Sequence, residues 1–284
     1  MMEKIYALMD ILLPFEWAQY TFMKNALLGI LLVSPLFGML GTMVVNNKMA
    51  FFSDALGHSA LTGIAIGVLL GFKQPLWSMM AFSLLLTLGI VKVKNAKTAS
   101  MDTIIGVFSA MAVALGIVIL SYRGGFSKYT VYLIGDLLSI TPTDLGLLTL
   151  AFIGVLLFWM LGFNQLFLVS LNPSLAKSRG LSLAVWEYLF TLLVAVIVTL
   201  SIQWVGTLII SSLLILPAAA SRNIAHNTKQ YVGFSIGLAF VAGLSGLLLS
   251  YFIESASGAT IVLVLGIFFC ITYMLKIKST QEGA

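Results

Sequence analysis

Nine apolar stretches, each close to the length that crosses a bilayer, dominate this chain. They cover residues 22–45, 53–71, 75–94, 102–121, 143–163, 183–203, 206–221, 231–252 and 257–275. A spanning helix needs about 20 predominantly apolar residues. In the hydrocarbon each backbone N–H and C=O must also find a partner inside the protein. The expected fold is therefore all-α: a polytopic membrane helix bundle with about eight to nine transmembrane helices. Composition agrees, because 60% of the 284 residues are hydrophobic and only 9% are charged, against about 25% charged in soluble domains. Such a chain cannot cover a water-facing surface. Two places are irregular. The stretch 206–221 is short and ends at Pro217, which predicts a bent or partial helix. The connection 123–142, with Arg123, Gly124, Gly125, Asp136 and Pro142, is too polar to span; a short re-entrant helix is expected near Val131–Leu138.

The formal charge of +5 belongs to loops that orient helices and predicts no nucleic-acid partner. Lys48, Lys92, Lys94, Lys97, Lys177, Arg179, Arg222, Lys229, Lys276 and Lys278 fall on one side of the threaded chain. Lys4, Lys24, Lys73, Arg123 and Lys128 fall on the other. The basic-rich side is expected in the cytoplasm, with an external N-terminus and an internal C-terminus. Residues 1–21 carry Glu3, Asp10 and Glu16 among apolar residues and lack the pattern of a cleavable signal. They are expected to form an interfacial amphipathic segment. Residues 22–278 are expected to form a single transmembrane domain. Cys270 is the one cysteine, so disulfide frameworks and cysteine-based metal sites within one chain are excluded.

Chemistry concentrates in Ser53-Asp54-Ala55-Leu56-Gly57-His58. Asp54 and His58 are four apart, so a helix puts them on one face. Two readings stand. Asp54 caps a helix and His58 makes a structural hydrogen bond, or the pair offers an oxygen and a nitrogen to a divalent metal in a transport path. The polar segment 170–182 also has two readings. Pro173 at a helix start, small Ala176 and Gly180 at a helix end describe a short docking helix, or the segment is an ordinary basic loop. Gly63 and Gly67 form a small-xxx-small pair that brings helices close, as does the Gly243, Gly246, Ser250 series. Thr98, Ser100 and Asp102 are expected to cap the fourth span, and Glu187 to pair near Arg179. Glu254 and His226 are expected to be solvated. No G-x-x-x-x-G-K-[ST] is present, so the chain is not expected to hydrolyse ATP, and H-E-x-x-H is absent too. The string Gly243-Leu244-Ser245-Gly246 matches an intramembrane serine protease motif, but the histidines, His58 and His226, both precede it.

Five segments in order resemble one family. They are Phe52–Ala65, Asp102-Thr103-Ile104-Ile105-Gly106, Leu133–Ser139, Val205–Ile210 and Leu216-Pro217-Ala218-Ala219-Ala220. Together they are similar to the zinc/manganese/iron ABC importer permeases, from about residue 45 to 260. The resemblance implies a homodimeric importer subunit in a bacterial cell (inner) membrane, surrounded by lipid. Its partners would be a separate cytoplasmic ABC ATPase subunit and an extracellular or periplasmic metal-binding protein. The metal, Zn, Mn or Fe, would be cargo, with no permanently bound cofactor. Asp54 and His58 would map onto the family's metal pair. The segment 170–182, with Pro173, Ala176 and Gly180, would map onto the helix that docks on the ATPase. Gly57 replaces the family's usual Ser, and Thr62 its usual Pro. A related permease for iron chelates or cobalamin would need a wide path without direct metal ligands, which the Asp54/His58 pair argues against.

Overall fold

The computed structural model describes residues 2–72, 74–96, 99–122 and 137–282. The helices in chain order are α1 (Met2–Leu12), α2 (Thr21–Asn46), α3 (Phe52–Leu69), α4 (Pro75–Asn95), α5 (Met101–Tyr122), α6 (Pro142–Leu171), α7 (Pro173–Ser178), α8 (Leu183–Val205), α9 (Thr207–Ile224), α10 (Thr228–Ile253) and α11 (Ser257–Glu282). Short 3-10 turns lie at Glu16–Gln19 and Leu137–Ser139. No strand occurs among the described residues. Nine of these helices are long and apolar enough to cross a membrane. They coincide with the nine apolar stretches, so the protein is an all-α, multi-pass membrane protein.

Three expectations need correction or restriction. The fifth span does not stop near residue 163. Trp159, Phe163 and Phe167 stack up one face, with centroids 5.5 Å and 4.7 Å apart, and α6 continues past Asn164 and Gln165 to Leu171. Its 30 residues make a rod about 45 Å long, well beyond a hydrocarbon core of about 30 Å. Pro217 does not end α9 either. The helix runs through it to Ile224, since membrane helices tolerate proline when neighbours satisfy the freed carbonyl. The re-entrant helix expected near Val131–Leu138 lies outside the described residues, except for the turn that begins at Leu137.

The chain divides into two compact units. The first comprises Met1–Thr42, Asp136–Gly154 and Ser212–Ala284, the second Met43–Gly135 and Val155–Ser211. In the second unit α3 packs against α4, α5 and α8. Lipid gives apolar side chains no reason to prefer one another, so close backbone approach and cross-helix hydrogen bonds hold such helices together. A Cβ on Gly63 would lie 2.6 Å from Met79 Cα, and one on Gly67 would overlap Ser78. On the opposite side of α3, a Cβ on Gly116 of α5 would lie 3.0 Å from Thr62 Cα. The Thr62 hydroxyl donates to the Ala112 carbonyl of α5. Threonine here, where a proline would bend the helix, thus ties α3 sideways to its neighbour.

The first unit uses the same device. Gly41 of α2 lies against the Leu214 backbone of α9, and Gly38 against Ser235 and Ile236 of α10. The Ser235 hydroxyl donates to the Gly38 carbonyl at 2.6 Å, and the Tyr231 hydroxyl to the Thr42 carbonyl at 3.2 Å. Gly243 packs over Ile30 and Ser34, and Gly246 over Ile261 of α11. The hydroxyl of Ser245 is spent on the Val241 carbonyl at 2.7 Å. The protease-like string is therefore a packing surface. At the chain start, α1 is tied to α2 by an ion pair of Lys24 with Asp10 at 2.5 Å and by Tyr6, whose hydroxyl donates to Asn25. Asn25 in turn donates to the Ile140 carbonyl at 3.0 Å. Leu8, Ile11, Leu12 and Phe15 remain exposed around this tie.

These contacts generate a paired prediction. Gly63→Val forces two methyls into the Met79 backbone and is expected to cost about 1–3 kcal/mol, seen as a lower melting temperature in detergent. Gly106→Ala, on α5 where no atom lies within 4 Å of the new Cβ, is expected to leave melting unchanged.

Candidate metal-path site

The site begins with a corner. The α2 helix ends at Asn46, Lys48 takes a left-handed conformation at φ 56°, and the Met49 amide returns to the Val44 carbonyl at 3.0 Å. The chain re-enters a helix at Phe52. Phe51 occupies the capping position, and no side chain caps the helix. The expectation that Asp54 caps α3 is therefore corrected: its carboxylate stands in the first turn, where the helix dipole favours a negative charge, and is free for other partners. Its partner is Ser211 of α9, whose hydroxyl donates to Oδ1 at 3.2 Å.

Asp54 and His58 lie on one face. Both are exposed, whereas Phe52, Ser53, Ala55, Leu56, Gly57 and the run Ser59–Ala65 are buried. In the first half of this helix, Asp54 and His58 are the exposed residues, beside the exposed Phe51 that precedes it; Leu69 is exposed at the far end. His58 lies about 6 Å farther along the helix axis than Asp54.

Two glycines shape the other wall. Gly206, at φ 87°, is the single residue between α8 and α9, and such a φ favours glycine. It starts α9 abruptly, so that Thr207 faces α3. A Cβ on Gly57 would lie 2.9 Å from Thr207 Cγ2. Glycine in place of the family's serine thus gives α9 room, and Ser211, one turn on, reaches Asp54. Sequence reasoning missed Ser211. It follows directly on the Val205–Ile210 segment, but 157 positions separate it from Asp54.

The pair supplies one carboxylate and one imidazole, a donor set that suits first-row divalent metals. Among the described residues no group of three or more His, Cys, Asp or Glu side chains comes together. Among the described residues the candidate pair thus offers two donors, where a transition metal typically takes about four. The other titratable candidates lie elsewhere. His226 is exposed, with its backbone amide donating to Gln230, and Glu254 ends α10 in a left-handed conformation. At the fourth span, Ser100 caps, accepting from the Thr103 amide at 3.3 Å. Thr98 lies outside the described residues.

The segment after α6 folds as a compact turn of helix. Asn172 caps α7 by accepting from the Leu175 amide at 3.0 Å, and Pro173 is its first residue. At the far end the Leu181 amide reaches the Ala176 carbonyl at 3.0 Å and the Gly180 amide reaches Lys177 at 2.9 Å. This is the paired closure that a left-handed glycine permits, and Gly180 has φ 76°. Ala176 is fully buried. Glu187 does not pair with Arg179, as its nearness in sequence suggested. The packing of α8 on α4 delivers Lys94 to it instead.

Known proteins match this chain over most of its length. The High-affinity zinc uptake system membrane protein ZnuB of Haemophilus influenzae is 34% identical over 84% of this chain and 91% of its own length. The Manganese import system permease protein ScaB of Streptococcus parasanguinis is 28% identical over 93% and 94%. Among solved structures, PsaBC from Streptococcus pneumoniae in complex with Fab superposes with a TM-score of 0.77 at 29% identity, covering 89% of this chain and 91% of that one. The family described as ABC 3 transport family matches residues 19–276. A match of that extent, over a fold of nine membrane-length helices, identifies this chain as a member of the ABC 3 transport family.

Proposed function

We propose that this protein is the membrane-spanning subunit of an ABC importer that moves a divalent transition metal, zinc, manganese or iron, across a bacterial cell membrane. The observation that carries this reading is the isolated Asp54/His58 strip. Two metal-competent side chains are exposed on a helix that is otherwise buried around them, and neither is used to cap it. Asp54, in the first turn of a membrane-length helix, has no cationic partner among the described residues, and a passing dication compensates it. Zinc and manganese uptake in the relatives' names, over most of their length, supports the same cargo class.

Two ligands suit passage better than storage, because a complete tight site would trap its cargo. A second copy of the chain, facing the first, completes the set with its own pair, which supports a homodimer with the path at its interface. Residues 1–21 lie at the membrane surface, and residues 22–278 form the permease domain. ATP chemistry resides in a separate cytoplasmic ATPase, and a metal-binding protein outside the membrane delivers the ion. The α7 helix, rigid at both ends, is the seat for the ATPase through Pro173, Ala176 and Gly180. Its displacement on ATP binding shifts the spans between outward-open and inward-open states.

Two measurements test this. In a reconstituted complex, Asp54→Ala and His58→Ala are each expected to lower metal uptake by about tenfold or more at unchanged expression; full uptake by both variants would sink the metal path. Gly180→Val places a branched side chain in a left-handed conformation at a cost of about 1–2 kcal/mol. It is expected to abolish stimulation of ATPase activity by the loaded binding protein, whereas Gly180→Asn retains it. Equal stimulation in both would remove α7 from the coupling route.

A further inference from the structure

We propose that the second unit carries, at its basic end, a binding site for the phosphate-bearing headgroup of an anionic phospholipid. A cavity of about 270 Å³ opens where the ends of α2, α4 and α6 meet the start of α8. Its polar wall is Asn46, Asn47, Lys48, Lys94, Ser170 and Glu187. Lys94 is held by Glu187, so these two cancel and the exposed Lys48 leaves the wall with one surplus positive charge. The Ser170 hydroxyl is buried without a hydrogen-bond partner, and the two asparagine amides add donors. With Glu187 turned to Lys94, the remaining wall offers donors and one net positive charge, which fits the oxygens of a phosphate monoanion better than a cation.

The rest of the lining decides between a lipid and a free ion. Leu166, Val169, Trp186 and Phe190 form an apolar wall beside the polar one. A free phosphate gains nothing from such a wall, but a lipid's glycerol and first acyl carbons do. Tryptophan is also the residue favoured at headgroup level. The cavity gathers three loops that the lysine bias assigns to the cytoplasm, and that leaflet carries the anionic lipids that basic side chains attract. Pro173, the first residue of α7, closes part of the same cavity, so a seated headgroup braces that helix. The proposal rests on membrane insertion and not on the metal reading, and its test contains no metal.

The test is native mass spectrometry of the full-length chain released from nanodiscs containing both phosphatidylglycerol and phosphatidylcholine. Retained lipid is expected to be phosphatidylglycerol. Lys48→Asn keeps the left-handed corner while removing the charge, and is expected to lower that retention about fivefold. Ser170→Ala is expected to lower it as well, and Lys229→Asn, in the first turn of α10 and outside the cavity lining, to leave it intact. Inorganic phosphate is expected not to displace the lipid. Equal retention of the two lipids, or unchanged retention in both Lys48→Asn and Ser170→Ala, would overturn the site. Displacement by inorganic phosphate would overturn the lipid assignment in favour of a free anion.

Discussion

Backbone must meet backbone in this protein, because a leucine gains nothing by leaving lipid for another leucine. The small residues of α3 follow from that constraint. Gly63 and Gly67 admit α4, while Thr62 meets Gly116 and bonds to α5. With both flanks engaged, the first half of α3 is left open only at Asp54 and His58. The position of the candidate ligands is thus a by-product of how tightly the rest of the helix is enclosed. Interhelical hydrogen bonds average only about 0.6 kcal/mol in a bilayer. Continuous close contact along the glycine faces therefore carries more of the stability than the few polar ties do.

Polar groups are used sparingly and with division of labour. Several buried hydroxyls on α3, α4, α8 and α10 return to carbonyls of their own helix, as Ser59, Thr87, Thr191 and Ser250 do. Others bridge helices, as Ser235 and Tyr231 do between α10 and α2. Charged pairs occur at helix ends, Lys24 with Asp10 and Lys94 with Glu187. Asp54 departs from this pattern. It lies in a first turn and, among the described residues, accepts from a serine hydroxyl and has no cationic partner. That exception is what makes Asp54 a candidate for the metal path proposed above.

Much of this was legible in the sequence. The nine spans are one-dimensional signals, and window hydropathy finds them. Their ends are not. Asn164 and Gln165 look like a loop, yet the Trp159, Phe163, Phe167 ladder carries α6 past them. Pro217 looks like a stop, yet a membrane helix absorbs it. The short helix at 173–178 was readable because Asn-Pro at one end and Gly at the other act locally. Partners distant in sequence were not readable. Ser211 reaches Asp54 only because Gly206 and Gly57 let α9 approach α3, and Lys94 reaches Glu187 only because α4 packs on α8. Local proximity favoured Arg179 for Glu187, and three-dimensional packing chose otherwise.

Gly206 has one more consequence. A loop of several residues absorbs displacement, but a single residue between two helices has almost no slack. The α8 helix, about 35 Å long, starts four residues after α7 and ends at this joint. Beyond the joint, five residues on, stands the serine that touches Asp54. The route from the outside of the bundle to the carboxylate is therefore a lever with a fixed pivot. The start of α8 and Ser211 are joined by helix and a single glycine, with no long loop between them.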